Sequence, residues 1–286
     1  PFSVVESQIP QDLRDNLVRD FNEREITAIM ATCNRSSAPS VSQPAVLFIL
    51  GPSAVGKSFI TDATAAQLFG SSHAAVILDG ELFREKHAGW CDVLMHGMRS
   101  SVLHSDAWTL FKEVKTDVVD EQSGKTTQQG ISTALKKRIL LGAIRDRQNL
   151  IIPSCANQPD KLEKDMKLLR DSGYIMHAVC IWAPLSETRA RGEPRSVREG
   201  KRWDGNIYGI STTTVLSVAR SWALRMEAEG DTAGSLTLWD NTIFPAREVD
   251  LGESAARRPQ GFAPPPHTLG ACLPCRRLLA VSAPAC

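Results

Sequence analysis

The sequence predicts an α/β fold, a three-layer sandwich in which helices cover both faces of a parallel sheet of about five strands. Short apolar runs alternate with longer segments of helical periodicity along most of the chain. That alternation is typical of right-handed strand–helix–strand crossovers. The first apolar run also leads directly into a glycine-containing turn and a helical segment, which is the order of a βα unit.

The predicted strands are short apolar runs that end at turn residues, as expected for strands buried on both faces. They are Ala45–Leu50, Ala74–Leu78, Asn149–Ile152, Tyr174–Trp182 and Ser235–Trp239. We expect the third strand to stop at Pro153, because proline lacks the amide donor of a strand residue. Ligands of parallel sheets bind beyond the carboxyl ends of the strands, so the residues that follow each strand are the candidates for function.

The predicted helices show apolar residues at intervals of three and four. They span residues 10–32, Ser58–Phe69, Ser105–Val119, Ile131–Arg147, Asp160–Ser172, Leu185–Arg202 and Thr212–Ala228. We predict three regions: a helical extension and linker over residues 1–44, an α/β domain over residues 45–250, and a disordered proline-rich tail over residues 251–286.

Composition excludes little. The 286 residues carry 33 Lys and Arg against 32 Asp and Glu, so the charge does not indicate a nucleic-acid or membrane partner. The sequence contains no run of 18 apolar residues, so it predicts no membrane span. Seven cysteines, an odd and scattered number, favour a reducing compartment and a cytoplasmic location. The one close pair, Cys272 and Cys275, has only His267 nearby and is interpreted as two free thiols in the tail rather than a metal site.

The segment after the first strand matches the phosphate-loop pattern GxxxxGK[ST]. Its residues are Gly51, Pro52, Ser53, Ala54, Val55, Gly56, Lys57 and Ser58. In this pattern the backbone amides surround a β-phosphate at a helix N-terminus. Lys57 is predicted to reach the β- and γ-phosphates, and Ser58 to offer its hydroxyl to Mg²⁺. The pattern follows a buried strand and opens a helix, so it predicts nucleotide binding.

The second strand ends in a pair of acids, Asp79 and Glu81, on either side of Gly80. One carboxylate at this edge can accept a proton from a substrate hydroxyl while the other orients magnesium-bound water. Arg84 lies close enough in sequence to pair with either acid or with a substrate phosphate. No base-reading motif of a GTPase follows the last strand, so these acids favour a kinase.

With these residues in view, the chain resembles the zeta-toxin family of P-loop kinases. The resemblance rests on the phosphate loop and on a motif of the form D-[GN]-D-x-F-[RK]-x-x-H, which here reads DGELFREKH over residues 79–87. It covers about residues 45–245. It implies an ATP-dependent kinase that phosphorylates a hydroxyl of UDP-N-acetylglucosamine, with ATP and Mg²⁺ as cofactors and the second acid of the motif as the catalytic base.

The chain departs from the family pattern at two strand ends. Glu81 stands where the family usually has Asp, which lengthens the reach of the carboxylate by roughly 1.5 Å. Asp79 is therefore the alternative base. After the third strand the family tends to have Glu, Gly, Thr and a basic residue, whereas this chain has PSCAN over residues 153–157. Ser154 and Asn157 remain candidate substrate contacts at this edge.

An arginine-rich segment over residues 187–202 follows the fourth strand. Positive charge on the transferring γ-phosphate is often supplied by such a lid. Arg198 and Arg202 lie one helical turn apart and are the predicted catalytic pair, with Arg191 in reserve. The resemblance also places lid arginines in this segment.

These observations predict an ATP-dependent phosphotransferase acting on a small-molecule hydroxyl, such as one of a UDP-sugar. Its predicted partners are ATP and that acceptor, with no nucleic acid and no membrane; the sequence does not indicate an oligomeric state. Two alternatives stay open. One is a different small-metabolite kinase on the same scaffold. The other is an ATP-binding regulatory protein with impaired turnover, which the departures at Glu81 and Pro153 favour.

Overall fold

The computed structural model describes residues 9–95, 101–119, 124–199, 203–229, 234–242 and 247–249. Its strands are β1 (Ala45–Leu50), β2 (Ala75–Ile77), β3 (Lys115–Val119), β4 (Thr126–Gly130), β5 (Asn149–Ser154), β6 (Ile175–Trp182), β7 (Ser235–Asp240) and β8 (Arg247–Val249). Its helices are α1 (Gln11–Leu17), α2 (Glu23–Thr32), α3 (Lys57–Phe69), α4 (Gly80–Arg84), α5 (Ala88–Met95), α6 (Ser101–Glu113), α7 (Ile131–Arg145), α8 (Pro159–Asp171), α9 (Leu185–Glu199) and α10 (Gly205–Glu229).

The predicted sheet is confirmed. Strands β2, β5, β1, β6 and β7 are neighbours in that order, and all four pairings are parallel. The antiparallel strand β8 adds a sixth strand beside β7. This order places β1 at the centre of the five parallel strands, with β5 between it and β2. The segments after β1, β5 and β2 therefore meet at one edge of the sheet.

Strand β1 is buried on both faces, as its continuous apolar run predicts. Leu47 and Ile49 pack with Ile60 of α3 on one face. The alternate residues of β1 pack on the other face, where the ring of Phe48 meets the Trp222 ring of α10 at 6.3 Å. Because successive strand side chains point to opposite faces, this single strand contributes to two helical layers.

The prediction that strand β5 stops at Pro153 is wrong, because the strand continues to Ser154. Pro153 lies opposite Ile49 of β1. On the other side, the Leu78 amide donates to the carbonyl of Ile151, so the odd-numbered residues of β5 face β2. Strand β2 ends at Ile77, one residue before that amide. The nitrogen of Pro153 therefore faces a position beyond β2, where no ladder hydrogen bond is required of it.

Two segments differ from the predicted helices. The predicted helix over residues 105–119 ends earlier, at Glu113, as α6. Residues 115–119 instead form β3, which pairs with β4 in an antiparallel hairpin. The N-terminal segment forms two helices rather than one, and the break is at Asn22. The Asn22 side chain accepts a hydrogen bond from the Glu25 amide, and the Glu25 carboxylate accepts one from the Asn22 amide, both at 2.9 Å. This capping box starts α2 anew.

The N-terminal helices pack into the main core. Ile9, Leu17, Phe21 and Ile29 are buried in the same cluster as the side chains of β1. The division of the chain at residue 44 stays a prediction. The predicted tail, with Cys272, Cys275 and His267, lies outside the described residues. Within the described ranges, no helix is both long and apolar enough to cross a membrane.

Candidate active site

The phosphate loop lies between β1 and α3 and contains two left-handed residues, Ala54 with φ 63° and Gly56 with φ 99°. The Gly51 amide donates to the Ser154 carbonyl at 3.2 Å, which ties the start of the loop to β5. Among the described residues, the amides of Ser53, Ala54 and Gly56 donate no hydrogen bond. These three N–H groups can therefore donate hydrogen bonds to a phosphate at the N-terminus of α3.

The glycines of the loop are required by close approach. A Cβ atom on Gly51 would lie 2.8 Å from the Ile181 carbonyl oxygen. A Cβ atom on Gly56 would lie 2.3 Å from Nδ2 of Asn241, at a backbone φ that other residues rarely adopt. The loop thus fits a phosphate group in both its backbone conformation and its glycine positions. Two residues of the loop, Pro52 and Val55, are buried.

Lys57 and Ser58 occupy the first turn of α3. The Lys57 ammonium donates to the carbonyl oxygens of Gly51 and Pro52, at 2.8 and 2.9 Å. It also lies 3.6 Å from Sγ of Cys155, in the segment after β5. The lysine is therefore held over the loop, at the edge where a phosphate would bind. Ser58 is exposed in this turn, so its hydroxyl is accessible to a cation bound beside the phosphates.

The two acids after β2 have different surroundings. Asp79 precedes α4 as its N-cap, and one of its carboxylate oxygens accepts from the Glu81 amide at 2.9 Å. Glu81 forms an ion pair with Arg195 of α9, and its side chain is only 13% exposed. The structure thus pairs the predicted base, Glu81, with an arginine of the predicted lid segment.

Arg84 is buried, with 6% of its surface exposed. Its guanidinium carbon lies 4.9 Å from the ring centre of Trp90 and 4.5 Å from that of Trp108, within cation–π range. Burial lowers the pKa of Arg84, while the charges of Glu81 and Asp79 act in the opposite direction. Its Nε atom has no hydrogen-bond partner among the described residues. The predicted substrate contact of Arg84 stays a prediction, and the observed contacts are with tryptophan rings.

His87, the last residue of the acidic motif, has a structural role. It is fully buried, its Nδ1 atom accepts from the Trp90 amide at 3.2 Å, and its Nε2 atom lies 3.2 Å from the Arg19 carbonyl oxygen. Since Nδ1 accepts, Nε2 carries the proton and donates to Arg19. Burial lowers the pKa of His87, which keeps the ring neutral.

At the end of β5, the Cys155 side chain contacts Lys57 of the phosphate loop, whereas the predicted residue Ser154 contacts the loop through its carbonyl oxygen. The Ser154 hydroxyl accepts from the Ala156 amide at 3.1 Å, and Ala156 adopts a left-handed φ of 51°. Asn157 is exposed. Sequence reasoning did not identify Cys155, because only the fold shows that it faces Lys57.

The lid helix α9 presents Arg195 and Arg191 to the site. Arg191 donates to the carbonyl oxygen of Asn241 at 3.0 Å and to Glu187 at 3.3 Å. The predicted pair lies outside the described part of the chain: Arg202 entirely, and Arg198 in its side chain. Their catalytic role stays a prediction.

Asn241, which follows β7, is the buried polar residue of the site that motif matching did not identify. Its Nδ2 atom donates to the Val55 carbonyl oxygen of the phosphate loop at 2.7 Å. Its position directly after the last predicted strand had made it one of the candidates for function.

The chain is similar to known proteins in sequence and in structure. Residues 28–123 match the model of the Zeta toxin family. No curated protein matches the chain. One similar solved structure comes from the PezAT chromosomal toxin–antitoxin system of Streptococcus pneumoniae; it is 17% identical with a TM-score of 0.48, and the alignment covers 78% of this chain and 79% of that one.

A second similar structure is the AvrRxo1-ORF1:-ORF2 complex with ATP, 14% identical with a TM-score of 0.45. The alignment covers 84% of this chain and 64% of that one. The family match spans the phosphate loop and the acidic motif that follows β2. It confirms the resemblance predicted from these residues: this stretch of the chain is similar to the Zeta toxin family.

Proposed function

We propose that the protein is an ATP-dependent phosphotransferase that phosphorylates a hydroxyl of a small molecule, with a UDP-sugar such as UDP-N-acetylglucosamine as the leading acceptor. The observation that carries the proposal is the strand order β2-β5-β1. It brings the acids after β2 and the phosphate loop after β1 to one edge of the sheet, separated by a single strand. A phosphoryl donor and an acceptor hydroxyl can meet there.

Each end of this edge has a distinct role in the proposal. The loop amides and Lys57 hold the β- and γ-phosphates of ATP. Ser58 would hold Mg²⁺, which supplies positive charge beside the phosphates. Glu81, or Asp79 as the alternative, accepts the proton of the acceptor hydroxyl. The lid arginines stabilise the charge on the transferring group.

The ion pair between Glu81 and Arg195 adds a requirement. A carboxylate that is paired with a guanidinium is a weaker base, because the positive charge favours its ionised form. We therefore infer that Arg195 leaves Glu81 when the acceptor binds, and that it then faces the transferring phosphoryl group. In this way one arginine restrains the base before binding and supplies charge during transfer.

A second candidate function is favoured by the end of β5 and the residue that follows it. Pro153 occupies the position where the family tends to have an acid, and Cys155 contacts Lys57. A site without that acid can select a different small-molecule hydroxyl. It can also bind ATP without efficient turnover, as a regulatory protein would. The first of these differs from the leading proposal in the acceptor and the second in turnover, but both bind the same nucleotide.

The test is turnover of ATP with Mg²⁺ by the full chain against a panel of UDP-sugars and simple alcohols, with the phosphorylated product identified by mass spectrometry. We expect a phosphorylated UDP-sugar. Lys57→Ala and Glu81→Gln should abolish its formation, whereas Glu85→Gln, a matched change four residues along the same segment, should leave it within about twofold.

Three other outcomes would contradict parts of the proposal. Turnover on another alcohol alone would exclude the UDP-sugar and support a different metabolite kinase. ATP binding that Lys57→Ala removes, without product on any acceptor, would favour the regulatory candidate. Full activity of Glu81→Gln would move the role of base to Asp79.

A further inference from the structure

Asn241 is fixed at the end of the sheet. It is the first residue after β7, and 6% of its surface is exposed. Its main-chain amide donates to the carbonyl oxygen of Trp182, the last residue of β6, at 2.8 Å. The backbone of Asn241 is therefore anchored to a neighbouring parallel strand, and its side chain starts from a defined position.

That side chain holds one peptide group of the phosphate loop. The Nδ2 atom donates to the Val55 carbonyl oxygen at 2.7 Å in a buried position. The peptide bond between Val55 and Gly56 is planar, and in a trans peptide the N–H points opposite to the C=O. Fixing the Val55 carbonyl toward Asn241 therefore directs the Gly56 N–H away from Asn241. Gly56, whose N–H is directed in this way, has a left-handed φ of 99°.

The main chain of Asn241 is joined to the lid helix as well. Its carbonyl oxygen accepts from Arg191 of α9 at 3.0 Å. Arg191 in turn pairs with Glu187 one turn earlier on the same helix. A single residue thus contacts the phosphate loop through its side chain and α9 through its backbone.

We propose that Asn241 is a positioning residue for nucleotide binding: it holds the Val55–Gly56 peptide so that the Gly56 N–H donates to the β-phosphate. The inference rests on the proposed function only in its requirement for nucleotide binding, and it does not depend on the acceptor. Asn241 itself does not contact the phosphates in this arrangement. It affects phosphate binding indirectly, by orienting the Val55–Gly56 peptide group of the loop.

The test measures the dissociation constants of ATP and ADP by calorimetry for the full chain and two variants. Asn241→Ala removes the donor. Asn241→Asp keeps the shape but replaces the donor with a carboxylate that repels the Val55 oxygen. We expect Asn241→Ala to weaken both nucleotides about tenfold, the loss of one buried hydrogen bond. We expect Asn241→Asp to weaken them further, and Asn206→Asp, at an exposed position, to leave them within about twofold.

A purely structural role predicts a different result. It would lower the thermal unfolding midpoint of the variants without changing the dissociation constants of the folded protein, and that result would overturn the proposal. If Asn241→Ala does not fold, the isosteric Asn241→Asp decides between the two roles. If the unaltered chain binds neither ATP nor ADP, the proposed function itself fails. If it binds both and the variants bind them equally well, only the role of Asn241 fails.

Discussion

Glu81 and Arg195 lie 114 residues apart in the chain and meet at the edge of the sheet. Each belongs to a segment that the sequence marks as functional, the acidic motif and the arginine-rich lid. Their pairing could not be predicted, because it depends on how α9 is placed over the strand ends. Without the placement of α9, helical spacing was the only basis on which the sequence could select Arg198 and Arg202 as the catalytic pair. Spacing orders residues on one helix, but it does not say which of them faces the site.

The role of Arg195 is open to a direct test at the residue scale. We expect Arg195→Gln to lower the turnover number about a hundredfold, because it removes a positive charge from the transferring phosphoryl group. Arg189→Gln is the matched control, since Arg189 lies on the same helix with its side chain 57% exposed. Steady-state kinetics at saturating ATP would measure both. A higher turnover in Arg195→Gln would show that the pair only restrains Glu81.

At the scale of elements, α2 and the segment between α1 and α2 contact the end of the acidic motif. The carboxylate of Glu25 pairs with Arg19 and accepts from the Ala88 amide at the start of α5 at 2.7 Å. The Arg19 carbonyl accepts from His87. Periodicity predicted helical structure here but not its break, because the break depends on two reciprocal side-chain hydrogen bonds at Asn22. The contacts with the motif join residues far apart in sequence and required the fold.

This support should weaken in acid. Burial raises the pKa of Glu25, but the hydrogen bonds from Arg19, Ala88 and Asn22 outweigh it and lower the pKa from 4.5 to about 2. A carboxyl with a lower pKa in the folded state stabilises the fold above its unfolded pKa. That stabilisation is lost as the pH falls from 4.5 toward 2. The shift corresponds to at most about 3 kcal/mol of unfolding free energy.

We therefore expect Glu25→Gln to lower the free energy of unfolding by about 1 to 3 kcal/mol at pH 7, and by progressively less as the pH falls below 4.5. Urea denaturation at several pH values would measure this. Glu23→Gln, at an exposed position in the same helix, should change stability by less than about 0.5 kcal/mol. A Glu25→Gln effect that is the same at every pH would contradict the role of its charge.

For the whole molecule, the parallel sheet was predictable because its strands are continuous apolar runs ended by turn residues. The runs indicated all five parallel strands to within a few residues. The hairpin of β3 and β4 was not predictable in the same way. Strand β4 (TTQQG) has no apolar residue, and β3 directly follows a helix, so periodicity gave no boundary. The residues of the phosphate loop were identified from sequence, whereas its contact with Asn241, 186 residues away from Val55, was not.

Because the N-terminal helices are buried in the main core, we expect them to unfold cooperatively with the rest of that core. Leu17 is fully buried in the core that includes β1, whereas the next residue, Val18, is 40% exposed. If residues 9–32 fold as part of one unit, Leu17→Ala should lower the free energy of the main unfolding transition by about 2 to 5 kcal/mol, because it leaves a cavity in that core. Val18→Ala should change it by less than about 1 kcal/mol.

Urea unfolding followed by tryptophan fluorescence reports on this core, since Trp90 and Trp222 belong to it. An independent extension would give the opposite pattern, in which Leu17→Ala alters an early separate transition and leaves the main one unchanged, because loss of a contact can only affect the cooperative unit that contains it.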